Sequence, residues 1–344
     1  MMENRRLRVG IIGCGEIAVH HAKGIHGANN AEIGMVMDVV PDLAKDLGEK
    51  YNVPYTTDID ALLNQKDIDA VYIATPHHLH APLTVKAVRA GKHVMVEKPM
   101  AVNLTQAKEM IDECRKAEVV LSVCFVLRYL ASTIKARELI QREAIGKVIA
   151  IETLAMAEKP ASYWQGGYTG RAKSDWRTSK DKSGGGILIM NVSHNIDTMR
   201  YITGLEVKRV YSEYDTFATP VEVEDTILCT LRYNNGAVGC IEASSCARGK
   251  GVEIDKIYGS EGQIVLGTPL KVYTTREMEG LKPNQWNEIT LEQTYDLRTR
   301  YVEEFAQAVF LGKEPPITGK DGYAVLEVVV AAYKSGQTHA PVSL

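Results

Sequence analysis

The sequence predicts two domains of different class: an α/β domain with a doubly wound parallel sheet, then an α+β domain built on antiparallel strands. Three observations carry this. The chain has 344 residues, more than one domain of ordinary size needs. Strand-like and helix-like segments alternate up to residue 125, which is the signature of βαβ units. From 207 to 292 strand patterns dominate.

In the first domain, "LRVGII" (7–12) reads as a strand, "EIAVHHAKGIHGA" (16–28) as a helix and "AEIGMVMD" (31–38) as a strand. "PDLAKDLGEKYN" (41–52) has helical spacing, with Pro41 suited to the first turn. A short helix at 58–64 and a strand at 69–75 follow. A helix over 80–90 is stopped by Gly91, a strand covers 93–96, and a helix over 103–117 starts at Asn103 with Gln106 as capping-box partner. A strand at 119–125 completes about six. The second domain begins with a helix (132–147) and a strand (148–157). The stretch 158–186, rich in Gly, Ser, Lys and aromatics, reads as a long functional loop. "TILCTLRY" (226–233) places Ile227, Cys229, Leu231 and Tyr233 on one face, and "NNG" (234–236) turns it into "AVGCIEASS" (237–245). Helices at 300–312 and 322–336 close the chain.

Composition excludes several classes. Net charge is −3, against a nucleic-acid surface. No run approaches the ~20 apolar residues of a membrane span, and the N-terminus lacks a signal pattern. The six cysteines form no Cys-x-x-Cys pair and no Cys/His cluster, so buried free thiols in a cytoplasmic, reducing setting are expected. His77, His78, His80 and His93 bring no carboxylate ligand at metal spacing, and no metal site is expected.

Gly13-Cys14-Gly15-Glu16-Ile17-Ala18 is G-x-G-x-x-A between a strand and a helix. The first Gly allows the tight turn, the second lets backbone approach a pyrophosphate, and the small third residue permits close helix–strand packing. Asp38 ends the second strand, where a carboxylate accepts bonds from a ribose 2′-hydroxyl, and apolar Val39 and Val40 follow with no Arg for a 2′-phosphate. The expected cofactor is NAD rather than NADP, on a Rossmann domain spanning 1–125.

"GKHVMVEKPM" (91–100) ends an apolar strand on Glu97, Lys98 and Pro99. Ligands of a doubly wound sheet bind outside the carboxyl ends of its strands. Lys98 therefore stands on the edge that carries the glycine loop, with a cis peptide before Pro99 anticipated. From position alone two readings are open: a lysine beside the cofactor, or a solvated loop lysine paired with Glu97.

At these residues the chain resembles the Gfo/Idh/MocA oxidoreductases, the glucose–fructose oxidoreductase and inositol dehydrogenase family. The resemblance runs through "ATPHHLHAPLTVKAVRAGKHV" (74–94), "GKHVMVEKPMA" (91–101), "FVLRY" (125–129), "DWR" (175–177), "GGGILIMNVSHNID" (184–197) and "YAVLEVVVAAYKSG" (323–336), and covers nearly the whole chain. It implies a second domain (126–319) with a large, open, mostly antiparallel sheet whose free face builds a homodimer or homotetramer. It also implies a last helix (320–336) that returns to the first domain. It implies a dehydrogenase that oxidises a secondary hydroxyl of a sugar, sugar derivative or cyclitol. His194 matches the family's proton-accepting histidine, and Lys98 the lysine that stabilises the developing alkoxide. Thr75, Pro76, His80 and Glu97 match positions along the cofactor. Arg128, Trp176, Arg177 and Asn191 match substrate or cofactor contacts, with Tyr163 and Trp164 in the same region. Asp197, on the helical face of His194, either orients the imidazole or pairs elsewhere. Met190 stands where many relatives carry Asp or Asn, so the chain departs from a full Lys/Asp/His set. Two alternatives share the site: an enzyme that retains NAD and processes glycosides by transient oxidation and elimination, and a sugar-sensing protein that has lost turnover.

Overall fold

The computed structural model describes residues 5–249 and 251–344. In chain order it runs β1 (Leu7–Ile12), α1 (Glu16–Gly27), β2 (Ala31–Met37), α2 (Pro41–Tyr51), β3 (Tyr55–Thr56), α3 (Ile59–Leu63), β4 (Ala70–Ile73), α4 (His77–Arg89), β5 (His93–Val96), α5 (Leu104–Lys116) and β6 (Leu121–Val123). It continues through α6 (Ala131–Gln141), β7 (Val148–Met156), two short helices α7 (Tyr163–Gly166) and α8 (Lys180–Ser183), and α9 (Ser193–Thr203). Then come β8 (Val207–Asp215), β9 (Thr226–Tyr233), β10 (Val238–Ser244), β11 (Val252–Gly259), β12 (Gly262–Val265), β13 (Leu270–Thr274) and β14 (Gln285–Ile289). Helices α10 (Leu297–Leu311) and α11 (Gly319–Thr338) precede a last short strand, β15 (Val342–Ser343).

The chain divides into two compact units. One gathers the residues up to Val126 with Pro160–Gly184 and Tyr295–Leu326; the other gathers Leu127–Lys159, Gly185–Thr294 and Glu327–Leu344. A cut at 125 in linear sequence thus falls beside the first boundary, but two later segments group with the first unit. The 160–184 segment is tied there by side-chain bonds described below. Helix α10 is drawn in by close packing: a Cβ on Gly24 of α1 would stand 2.7 Å from Arg298 Cβ.

The first unit holds a parallel sheet of order β3-β2-β1-β4-β5-β6. Strand β4 is buried along its whole length and β1 nearly so, as expected for strands covered on both faces. The order reverses between β1 and β4, and a crevice for ligands opens at such a switch point. Ile12 lies opposite Ile73, and Ile73 opposite Val96. Gly13, Ala74 and Glu97 therefore leave their strands at one level.

The second unit holds a nine-stranded sheet of order β14-β13-β12-β11-β7-β10-β9-β8-β15, antiparallel except for the β7–β10 pair. The face anticipated for β9 is the buried one: Ile227, Cys229, Leu231 and Tyr233 alternate with exposed neighbours.

Helix ends depart from the sequence pattern where caps override it. Helix α4 starts at His77, after Pro76, and runs through Pro82. Helix α10 starts at Leu297, because the Asp296 side chain accepts the amides of Arg298 and Thr299. Helix α6 stops at Gln141, short of Gly146. Asn103 caps α5 by accepting from Gln106 N at 2.9 Å. The reciprocal half of the capping box is not made, since Gln106 Oε1 has no hydrogen-bond partner. Of the six cysteines, all free, Cys240 is exposed and Cys246 partly so, against the expectation of buried thiols; alternation on β10 turns Cys240 outward. No helix among the described residues is long and apolar enough to cross a membrane.

Candidate active site

Within the first unit the glycine loop is shaped by contacts that exclude side chains. Gly13 has φ +91°, and a Cβ there would stand 2.7 Å from the Ala74 carbonyl oxygen; both facts select glycine. Gly15 is the N-cap of α1, so the first amides of the helix are left for an outside acceptor. Ala18 is fully buried, in the place where the motif's small third residue allows close helix–strand packing. Cys14 is buried, and its thiol is pushed up to about 12, first by burial and then by the Asp38 carboxylate; it is an inert packing group. Glu16 accepts from Tyr168 N at 3.0 Å, and Ile17 lies exposed in the first turn.

Asp38 follows β2 and is nearly buried. One of its oxygens accepts from Cys14 N at 2.7 Å and the other from Val40 N at 2.9 Å. A carboxylate has about four acceptor sites, so it retains capacity for ribose hydroxyls while bracing the glycine loop. Thr75 Oγ1 is buried with no hydrogen-bond partner. An orphaned hydroxyl at the end of β4, a turn at Gly13 that only glycine fits, free helix amides and Asp38 together fit a dinucleotide.

His80 links two strand ends. Its Nδ1 lies 2.8 Å from Pro99 O and its Nε2 2.9 Å from Thr75 O; burial lowers its pKa. The Lys98–Pro99 peptide is cis, as the sequence anticipated. Glu97 is buried and Lys98 partly so. Burial lowers the Lys98 pKa, and the Glu97 carboxylate pulls it back up.

The 160–184 segment crosses this edge within the same unit. Arg171 Nε donates to Cys14 O at 3.0 Å, and its guanidinium lies 3.5 Å from Asp46. Farther along, Trp176 packs on His77 at 4.4 Å between rings, and His77 Nδ1 lies 2.8 Å from Ser183 O. Arg177 sits over the rings of Tyr163 at 5.0 Å and Trp176 at 4.5 Å. Trp164 meets Tyr163 edge to face.

The second unit carries His194 on the first turn of α9, partly buried. A π-helical turn, Leu188–Val192, leads into it and holds Asn191 partly exposed and Met190 buried. The run of glycines before it has a local cause. A Cβ on Gly186 would lie 1.8 Å from Glu224 O, and one on Gly185, at φ +147°, would strike the Tyr333 hydroxyl. The buried Glu224 carboxylate accepts from Gly186 N at 2.6 Å, Leu188 N at 3.0 Å and Tyr333 Oη at 2.8 Å. It thus anchors the entry to the histidine helix. Of the two readings left open for Asp197, the pairing elsewhere is made: both its oxygens bond Arg128, at 2.8 and 2.5 Å. Arg128 spends its fork on that buried pair rather than presenting it whole to a ligand. Asn195, beside His194, donates to Asp255 at 2.8 Å, and Thr153 donates to the same carboxyl at 2.7 Å.

Sequence reading missed Glu224, Arg171 and Asp255. The three adjacent glycines signalled that something approaches the backbone there, but nothing in the spacing names a partner 38 residues away.

Comparison with known proteins agrees with this geometry. Residues 7–125 match the family described as "Oxidoreductase family, NAD-binding Rossmann fold", and residues 133–265 match "GFO/IDH/MocA C-terminal domain". The chain is 28% identical to myo-inositol 2-dehydrogenase of Thermotoga maritima over 98% of each chain. It is 29% identical to D-glucoside 3-dehydrogenase of Escherichia coli, over 100% of this chain and 99% of that one. Among solved structures, levoglucosan dehydrogenase in complex with NADH and levoglucosan superimposes with a TM-score of 0.88 at 25% identity, over 98% of this chain and 99% of that one. With both domains of one family matched in order, on a glycine loop and strand edge shaped for a dinucleotide, the chain belongs to the Gfo/Idh/MocA oxidoreductases, and its first domain is their NAD-binding Rossmann fold.

Proposed function

We propose that the protein oxidises one secondary hydroxyl of a sugar, sugar derivative or cyclitol, with NAD as acceptor. The carrying observation is Lys98, at the carboxyl end of an interior parallel strand level with the glycine loop. The dinucleotide would be held by Gly13, Gly15, the first amides of α1, Asp38 and Thr75, and when bound it supplies a hydride acceptor. His194 takes the proton of the reacting hydroxyl; an imidazole suits this because its ordinary pKa lies near working pH. Lys98 Nζ stabilises the negative charge that develops on the oxygen, as a preorganised cation does wherever charge builds up in a transition state. Trp176 and Arg177 are the contacts proposed for the sugar ring and its oxygens. Relatives named for inositol, glucosides and levoglucosan support the substrate class.

The test is NADH appearance with inositols, aldoses, glycosides and amino sugars, with NADP in parallel. Turnover with one class supports the reading, and preference for NAD supports the Asp38 contact. Product without NADH accumulation would replace it with a closed redox cycle on a glycoside. Silence from a protein that binds NAD would replace it with a sensor. The open sheet is proposed as the self-association face, because exposed Leu228 and Val238 lie on paired strands there. A Leu228→Glu variant that stays as large as the parent in sedimentation would overturn that assignment.

A further inference from the structure

Beneath the cofactor edge, in the first unit, lies a buried polar cluster that the proposed chemistry does not use. It comprises His21 on α1, Tyr72 on β4, Glu97 after β5 and Cys124 after β6, each at most 7% exposed. His21 Nε2 lies 2.6 Å from Glu97 Oε1. The Tyr72 hydroxyl donates to the same oxygen at 2.5 Å. The other oxygen accepts from the backbone amide of Lys98 at 3.2 Å. The rings of His21 and Tyr72 stack at 4.4 Å, so each holds the other in place.

Removing a carboxylate from water without partners costs several kcal/mol or more. Apolar residues would fill this space more cheaply, so a charge kept here asks for a use. A metal is a poor candidate. Glu97, His21 and Cys124 offer ligand atoms within 4.8 Å of one another, but His21 and Glu97 are already in hydrogen-bond contact. Two ligands on a tetrahedral zinc stand about 3.3 Å apart. Burial also pushes the Cys124 thiol well up, away from the thiolate a metal needs.

The charges resolve simply. Burial alone would raise the Glu97 carboxyl, but His21, Lys98 and the Tyr72 hydroxyl outweigh it and hold it below the usual carboxylate range. Burial lowers the His21 pKa more than Glu97 raises it, and its Nε2 faces the Glu97 carboxylate at 2.6 Å. The cluster is therefore a buried carboxylate enclosed by a histidine ring, a tyrosine hydroxyl and a backbone amide, adjacent in sequence to Lys98. The other titratable groups acting on it are His20 on α1, His80 on α4, Tyr301 and Arg298 on α10, and Arg177 of the 160–184 segment.

We propose that Glu97, locked by His21 and Tyr72, is the positioning residue of Lys98: it accepts the lysine's own backbone amide, fixing it at the strand end, and sets one buried anion next in sequence to the ammonium-bearing residue. This rests on the role given to Lys98 above.

The test reads Lys98 directly and needs no substrate. In the NAD-loaded protein with 13C-labelled lysine, the Cε signal lost in Lys98→Met assigns the residue. Its alkaline midpoint should fall by about 1–3 pH units in Glu97→Gln, the usual effect of removing a nearby opposite charge; an unchanged midpoint overturns the proposal. Tyr72→Phe removes one hydroxyl and keeps the packing. There the acid-side inflection that Glu97 imprints on the Lys98 signal should move to higher pH, and an unmoved inflection also overturns it. A merely structural role would lower the melting temperature without moving either midpoint. Failure to oxidise any sugar would sink the dehydrogenase reading and leave this result standing.

Discussion

The carboxyl edge of the parallel sheet and the helix that carries His194 hold their residues in different ways. At the sheet edge, Gly13, Thr75, Glu97 and Lys98 are placed by strand register, with Ile12, Ile73 and Val96 side by side. Hydrogen-bonded backbone does the work, and side chains add detail. At the histidine helix, placement comes from side chains distant in sequence. Glu224 grips Gly186 and Leu188, and Arg128 grips Asp197. The first kind of site follows from a repeating local pattern. The second depends on pairings that no local pattern announces.

That contrast can be broken experimentally. The largest effect is expected at the buried pair of the second unit. Arg128→Leu should cost about 3–5 kcal/mol in denaturant unfolding, because it strands the Asp197 charge. The double variant Arg128→Leu/Asp197→Leu should recover much of that loss; no recovery would mean that packing, not charge, holds the helix. Next is Lys98→Met. It should lower turnover by about 100- to 1000-fold, the usual loss for one stabilising donor, with NAD binding retained. A loss of NAD binding instead would show that the lysine serves the cofactor alone.

Smaller effects sharpen the comparison. Gly186→Ala forces a Cβ into the Glu224 carbonyl and should destabilise by about 1–3 kcal/mol, as overpacking does. It should also lower turnover, since the entry to α9 must shift; destabilisation with full turnover would detach Glu224 from the placement of His194. The smallest effect is expected at Asn103, whose cap bond to Gln106 N is local to the start of α5. Asn103→Ala should cost about 1 kcal/mol in stability and nothing in the Lys98 or His194 chemistry.

Legibility followed the same divide. G-x-G-x-x-A, Asp38 and the strand ending in Glu97-Lys98 could be read because period and turn chemistry fix their positions within a few residues. The β9–β10 hairpin was legible for the same reason. Helix starts at His77 and Leu297 were not, because a proline and an aspartate cap shifted them. Asp197 had two open roles until its partner was seen. The cluster under Lys98 stayed hidden altogether, because His21, Tyr72, Glu97 and Cys124 come from one helix and three strand segments.

By itself, then, the sequence determined the doubly wound class of the first domain, the dinucleotide loop and the edge on which Lys98 stands. These rest on interactions between near neighbours, where spacing dictates geometry. Tertiary structure alone decided that the 160–184 segment belongs with the cofactor domain, that Glu224 anchors the histidine helix, and that Glu97 turns inward to His21 and Tyr72. A buried charge goes where partners can neutralise it, and only the folded chain brings those partners together.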